Sequence, residues 1–272
     1  MALIYDFDGT LSPGNMPGST TSSLRWAEQP RGSGRRATRP RASRDGDPIL
    51  AYMYRMLHEA KSSGKSLRYE ARAVGRAYRA VRRSAQWFSR INAYGASKGL
   101  EIHHFINSSG LREMIEGTPI AHEFRKIYAC SFLYDVDGVA YWPAVAVNYT
   151  NKTQFIFKIN KGIESVYDSH RINSISEEEE RPVPFRRMIY FGDGTTDIPV
   201  CGWSSGREDT LDRRLQSLFG RNRQTSERLL HDQRVNYVCP ADYRVDRPID
   251  RLVHAIIDRI ASDENLRKFY MK

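Results

Sequence analysis

Short apolar runs and stretches of helical periodicity take turns along this chain. Leu3-Ile4-Tyr5 is an apolar run closed by a glycine turn, the pattern of a buried strand. Residues 101–107, 188–191 and 235–239 repeat that pattern. Between them, Ile49, Leu50, Met53, Met56 and Leu57 recur at helical spacing, and Asp47-Pro48 supplies an N-cap followed by proline at the first turn. Residues 68–88 read as a helix with Arg72, Arg76, Arg79 and Arg83 on one face, and a further helix ends near Lys98-Gly99. Residues 152–163 and 249–260 read as helices too, the last with Ile249, Leu252, Val253, Ile256, Ile257 and Ile260 as its apolar positions. Residues 126–147 alternate apolar and polar about Asp135-Val136-Asp137-Gly138, a hairpin turn. Helices alternating with short buried strands predict an α/β fold, a Rossmann-like parallel sheet with helices on both faces. Ligands of such sheets bind beyond the carboxyl ends of the strands.

Charge changes the picture in one region only. Of the net +10, residues 17–90 account for +12, from 15 arginines and two lysines against five acids, so the remainder of the chain nets −2. Residues 17–46 carry Leu24 and Trp26 as their only large apolar side chains, too few to offset the entropy of ordering, and are expected to be disordered. No apolar stretch approaches the roughly 18 residues of a membrane span, and no basic region precedes an apolar one at the N-terminus. Cys130, Cys201 and Cys239 are odd in number and show no ligand spacing, which fits a reducing cytoplasm.

The chemistry sits at the strand ends. The first strand opens onto Asp6-Phe7-Asp8-Gly9-Thr10, and residues 188–191 open onto Gly192-Asp193-Gly194-Thr195-Thr196-Asp197. Carboxylates this close repel one another, and a divalent cation removes the repulsion. Oxygen-rich ligation suits a hard ion such as Mg²⁺, which keeps waters and binds through a few carboxylates plus substrate phosphate. The Ser108 hydroxyl adds a phosphate donor, a lysine would complete the neutralisation, and an aspartate carboxylate is an established nucleophile for phosphoryl transfer. Asp135 and Asp137 flank a hairpin glycine and read as a structural turn. His103 and His104 are adjacent on a strand, point to opposite faces and make no joint ligand set.

Four motifs in this order resemble the haloacid dehalogenase-like hydrolases, and within them the phosphoserine-phosphatase-like branch. They are Asp6 to Thr10, Ile106-Asn107-Ser108-Ser109-Gly110, Lys152 at the head of Lys152-Thr153-Gln154, and Gly192 to Asp197. The resemblance implies a Mg²⁺-dependent phosphomonoesterase acting through an aspartyl-phosphate on a small phosphorylated metabolite. It implies Asp6 as nucleophile and Asp8 as general acid and base. Thr10, Ser108, Ser109 and Lys152 would bind the phosphoryl group. Asp6, the Asp8 carbonyl and Asp193 would hold the metal, with Asp197 supporting them. Lys158 and Lys161 rival Lys152, which is favoured because it begins its helix nearest the strand ends. The implied organisation is a catalytic core of residues 1–14 and 86–272 with a helical cap inserted after the first strand, residues 15–85. No specific nucleic acid and no membrane is expected as a partner.

Three stretches, about 17–45, 67–85 and 202–226, depart from the family pattern. Asn15 stands where the phosphoserine enzymes carry an amine-reading glutamate, and residues 202–226 lack the β-branched run of the strand expected there. All three are biased to Arg, Ser and Gly, as a shifted reading frame of a GC-rich gene would produce. The alternative function is therefore a catalytically weakened family member whose arginine-rich insert binds polyanions.

Overall fold

The computed structural model describes residues 1–12, 46–77, 85–173, 180–193, 197, 199–200, 216–219 and 223–270. In chain order its principal elements are β1 (Ala2–Tyr5), α1 (Pro48–Ser63), α2 (Leu67–Ala77), α3 (Ala85–Ser97), β2 (His103–Leu111), α4 (Arg112–Glu116), β3 (Phe124–Tyr134) and β4 (Ala140–Val145). Then come α5 (Lys152–Asn160), α6 (Ser169–Asn173), β5 (Met188–Gly192), β6 (Gln216–Phe219), α7 (Arg223–His231), β7 (Tyr237–Val238) and α8 (Pro248–Tyr270). One seven-stranded sheet runs β4-β3-β2-β1-β5-β6-β7, parallel throughout except for the β3–β4 hairpin. The expected Rossmann-like α/β architecture is what the chain forms.

β1 is central, between β2 and β5, with Tyr5 in register with Ile106 and with Phe191. All four of its side chains are fully buried, which is why the run is apolar without alternation. On one face, Tyr5 meets Phe88 of α3, stacks on Phe191 at 4.5 Å between centroids, and accepts a hydrogen bond from Trp87 Nε1 at 2.9 Å. Indole N–H can only donate, so the Tyr5 hydroxyl passes its own proton on to His104 Nδ1, 3.1 Å away. His104 Nε2–H then donates to Asn92 Oδ1 at 2.9 Å. Burial, helped by His103, lowers the His104 pKa to about 3, so the ring is neutral. The opposite face is covered by α5, where Phe155 stacks on Tyr128. The two histidines do part to different surroundings, since His103 reaches Arg125 and Glu101 instead.

Asp47 caps α1 as expected, its Oδ1 accepting from Ile49 N and Leu50 N. α2 is seated hard on α4. A Cβ on Gly75 would lie 2.0 Å from the Met114 carbonyl oxygen, so only glycine permits that approach. Arg68 lies over the Tyr134 ring and Arg72 pairs with Glu116, so these two basic side chains already have partners within the fold.

Several expectations need correction. The predicted helix over 68–88 is described as α2 and α3, with residues 78–84, including Arg79 and Arg83, outside the described residues. β2 does not leave by a turn at Ser108: it runs on through Ser109 and Gly110 to Leu111, with broken register against β3 after Asn107. α5 stops at Asn160 rather than residue 163, and the chain turns through Gly162 at φ +64°. α8 continues ten residues past the predicted end, tied down where Glu264 pairs with Arg186 and Arg187. Residues 202–226, which lack the β-branched run of the strand expected there, nevertheless supply β6, whose backbone pairs in parallel with β5 and β7. Residues 17–45, with the expectation of disorder there, lie outside the described residues, as do Asn15, Cys201 and Gly194 to Thr196.

Candidate active site

Strand alternation sorts the acids at the carboxyl edge of the sheet. Asp6 follows Tyr5 and therefore points to the α5 face, where Lys152 heads its helix. Lys152 Nζ donates to Asp6 Oδ1 at 3.0 Å and to Asp197 Oδ1 at 2.7 Å, and its side chain is wholly buried. Asn107, at the end of the regular part of β2, donates through Nδ2 to the Lys152 carbonyl at 3.0 Å and so fixes the start of α5. Tyr190 Oη donates to Asp197 Oδ1 at 2.7 Å, and Asp193 N donates to Asp197 Oδ2 at 3.2 Å. Asp197 thus spends both oxygens on protein donors and holds Lys152 in place. Gly192 makes this possible, because a Cβ there would lie 2.7 Å from Asp197 Cγ.

Asp6, Asp193 and Asp197 each offer a carboxylate oxygen within 4.8 Å of the others. One ammonium cannot balance three carboxylates. Burial pushes the Asp6 carboxyl well above its ordinary pKa; Lys152 opposes this, while Asp197 and Asp8 reinforce it. Burial disfavours charge on Lys152, but Asp197 and Asp6 outweigh it and keep the ammonium protonated. An all-oxygen donor set with surplus negative charge suits a hard divalent cation, so the residues present fit the metal that the sequence implies.

The remaining candidates fall around this cluster. Asp8 is half-buried and bridges to Ser12 in a turn through Gly9, at φ +77°. Thr10 Oγ1 and Ser109 Oγ are buried hydroxyls with no partner among the described residues. Ser108 Oγ accepts from Gly110 N at 3.1 Å, which leaves its own proton available. The Ser109 carbonyl accepts from Tyr52 Oη on α1 at 3.0 Å and from Cys130 Sγ at 3.3 Å, pinning the irregular end of β2. Of the three lysines, Lys152 alone reaches Asp6 among the described residues. Lys158 and Lys161 turn away, to the carbonyls of Ser165 and Asp168 and of Ile172. Asp135 accepts from Asp137 N and Val139 N, a structural turn as expected.

The sequence assigns no role to Tyr190 or Tyr52, and gives Asn107 and Gly192 only as members of their motifs, without a function of their own. Each sits in or beside a run that reads as core, and only the strand parity of Tyr190 with Asp6 hints at a shared face.

A protein of Borreliella burgdorferi, described as uncharacterized, is 28% identical over 169 residues, 57% of this chain. The chain spans 57% of the length of that curated relative. A haloacid dehalogenase family hydrolase from Salmonella enterica serovar Typhi aligns at 12% identity and TM-score 0.45, over 94% of this chain and 71% of that one. A probable phosphoserine phosphatase from Vibrio cholerae aligns at 9% identity and TM-score 0.47, over 97% of this chain and 66% of that one. No helix among the described residues is long and apolar enough to cross a membrane. The decisive match is to a family model, that of the haloacid dehalogenase-like hydrolases, over residues 3–201, and it takes in all four motifs. With that span matched, the chain belongs to the haloacid dehalogenase-like hydrolases.

Proposed function

We propose that this chain is a Mg²⁺-dependent phosphomonoesterase that works through an aspartyl-phosphate on Asp6. The observation that carries the reading is the buried Lys152 ammonium joining Asp6 to Asp197 inside an acidic cluster at the carboxyl ends of parallel strands. Mg²⁺ would be held by Asp6, Asp193 and the Asp8 carbonyl, and when bound it supplies charge neutralisation at the phosphoryl oxygens.

Lys152 fixes the rotation of the Asp6 carboxylate by holding Oδ1. A bond then forms from an Asp6 oxygen to phosphorus as the ester P–O bond breaks, and the departing alkoxide takes a proton from the Asp8 carboxyl. A water next gives a proton to the Asp8 carboxylate and attacks the same phosphorus. Phosphate leaves, and the Asp6 carboxylate is restored. The hydroxyls of Thr10 and Ser109, unpartnered among the described residues, are with Ser108 the donors for the phosphoryl oxygens. Asp197 acts through Lys152 and does not touch the reacting atoms.

The substrate class is a small phosphorylated metabolite, and the free, buried Cys130 and Cys239 fit a reducing cytoplasm. A panel of phosphomonoesters assayed with Mg²⁺ and with EDTA tests the reading. Hydrolysis should require the ion and vanish in Asp6→Asn, whose amide is nearly isosteric but is neither nucleophile nor anionic ligand. Full turnover in chelator, or by a folded Asp6→Asn variant, would remove Asp6 from its role.

A further inference from the structure

One buried polar group next to this cluster has no use in the reaction as described. Tyr243, in the segment between β7 and α8, is only 7% exposed, and its hydroxyl has no hydrogen-bond partner among the described residues. Its ring is wedged between Trp87, at 5.1 Å between centroids, and Tyr5 and Phe191, each at 6.5 Å. Those two aromatics immediately precede Asp6 and Gly192-Asp193. Strand parity, continued one residue past β5, puts Asp193 on the same face as Phe191, the face that Tyr243 packs against. Asp6 and Lys152 occupy the other face. Lys152 and Tyr190 thus hold the acid cluster from one face, while on the other face Tyr243 packs against the strands that lead into Asp6 and Asp193, its hydroxyl without a hydrogen-bond partner among the described residues.

We propose that Tyr243 is a positioning residue of the cation site, donating its hydroxyl hydrogen bond to Asp193, directly or through a water on the ion, when the site is loaded. The inference rests on the metal reading above and adds to it a donor that none of the four motifs contains. A phenol keeps its proton at neutral pH, so towards a carboxylate the Tyr243 hydroxyl can act only as donor. A buried hydroxyl left unpaired is costly, and a fold that retains one beside a candidate metal site gains from it in a loaded state. Outer hydrogen bonds of this kind orient ligating carboxylates, and their removal characteristically lowers metal affinity about tenfold or more.

The test is Tyr243→Phe, measured two ways on the full chain. Isothermal titration calorimetry with Mg²⁺ should show a dissociation constant raised about tenfold over the parent. Urea unfolding in chelator should show a midpoint unchanged or moved upward, because the ring remains and an unpaired hydroxyl has gone. A merely structural tyrosine gives the opposite pair, a lower midpoint with unchanged Mg²⁺ affinity, and that result overturns the inference. A parent that binds Mg²⁺ as tightly as the variant overturns the role of Tyr243 alone. A parent that binds no Mg²⁺ overturns the metal reading and this inference together.

Discussion

Replacing Lys152 with methionine keeps most of the length of the side chain and removes its charge from a place water does not reach. The ammonium lies 3.0 Å from Asp6 Oδ1 and 2.7 Å from Asp197 Oδ1, with all three side chains buried. At an effective dielectric of about 20, unit charges about 3 Å apart attract by about 5 to 6 kcal/mol per contact. Most of that attraction offsets the desolvation of the three groups. Removing one partner of a buried pair therefore costs about 3–5 kcal/mol, mainly because the carboxylates are left uncompensated. The cost must also depend on pH. Burial already raises the Asp6 carboxyl above its unfolded value, and Lys152 is the group that opposes the rise. A carboxyl with a raised folded-state pKa contributes stability that is complete below its unfolded pKa and is lost as pH rises through the folded one. Lys152→Met should thus be penalised more at about pH 8 than at about pH 5.5. Urea unfolding in chelator at both values measures this, and added Mg²⁺ should recover part of the loss at the higher pH. A variant within about 1 kcal/mol of the parent at both pH values would refute the idea that Lys152 balances this cluster.

Two other perturbations follow from the same packing. In Gly192→Ala the new methyl would meet Asp197 Cγ at 2.7 Å and its Cβ at 2.8 Å, so Asp197 must shift off Lys152. The fold should lose about 1–3 kcal/mol, read as a lower urea midpoint, and turnover should fall with it; full activity at parental stability would contradict the packing. His104 should make the fold acid-sensitive: its pKa drops from 6.5 to about 3 on burial, so its contribution is complete above the unfolded value and is lost as pH falls towards the folded one. Stability should drop by about 2 kcal/mol between about pH 7 and about pH 5, and that drop should be absent in His104→Gln. An unchanged slope in that variant would assign the acid sensitivity to other groups.

The parts of the fold legible in the sequence are those where one physical cause dominates. β1 and β5 are buried on both faces and end in acidic glycine turns, so an unbroken apolar run and a cluster of carboxylates mark them at once. Lys152 could be preferred over Lys158 and Lys161 because rise along a helix separates them, and the structure turns the other two onto backbone carbonyls. β6 was not legible. Four residues, Gln-Ser-Leu-Phe, gain their strand conformation from parallel pairing with β5 and β7 and not from their own propensity. The last turns of α8 were missed for a similar reason, since contacts such as those of Glu264 with Arg186 and Arg187 leave no apolar period to read. Tyr190 and Tyr243 were hidden differently. Their rings do behave as core, and only the placement of each hydroxyl in three dimensions separates a polar brace from an ordinary buried tyrosine.

Covalent catalysis at Asp6 can be tested most directly by trapping the intermediate. Borohydride reduces an acyl phosphate to the alcohol, so quenching the enzyme during steady-state hydrolysis should convert Asp6 to homoserine, detected in the N-terminal peptide by mass spectrometry. Asp6 should be reduced only when phosphomonoester and Mg²⁺ are both present, and Asp8, Asp193 and Asp197 should remain aspartate. Steady turnover with Asp6 left unreduced, or reduction at another of these carboxylates, would contradict Asp6 as the nucleophile.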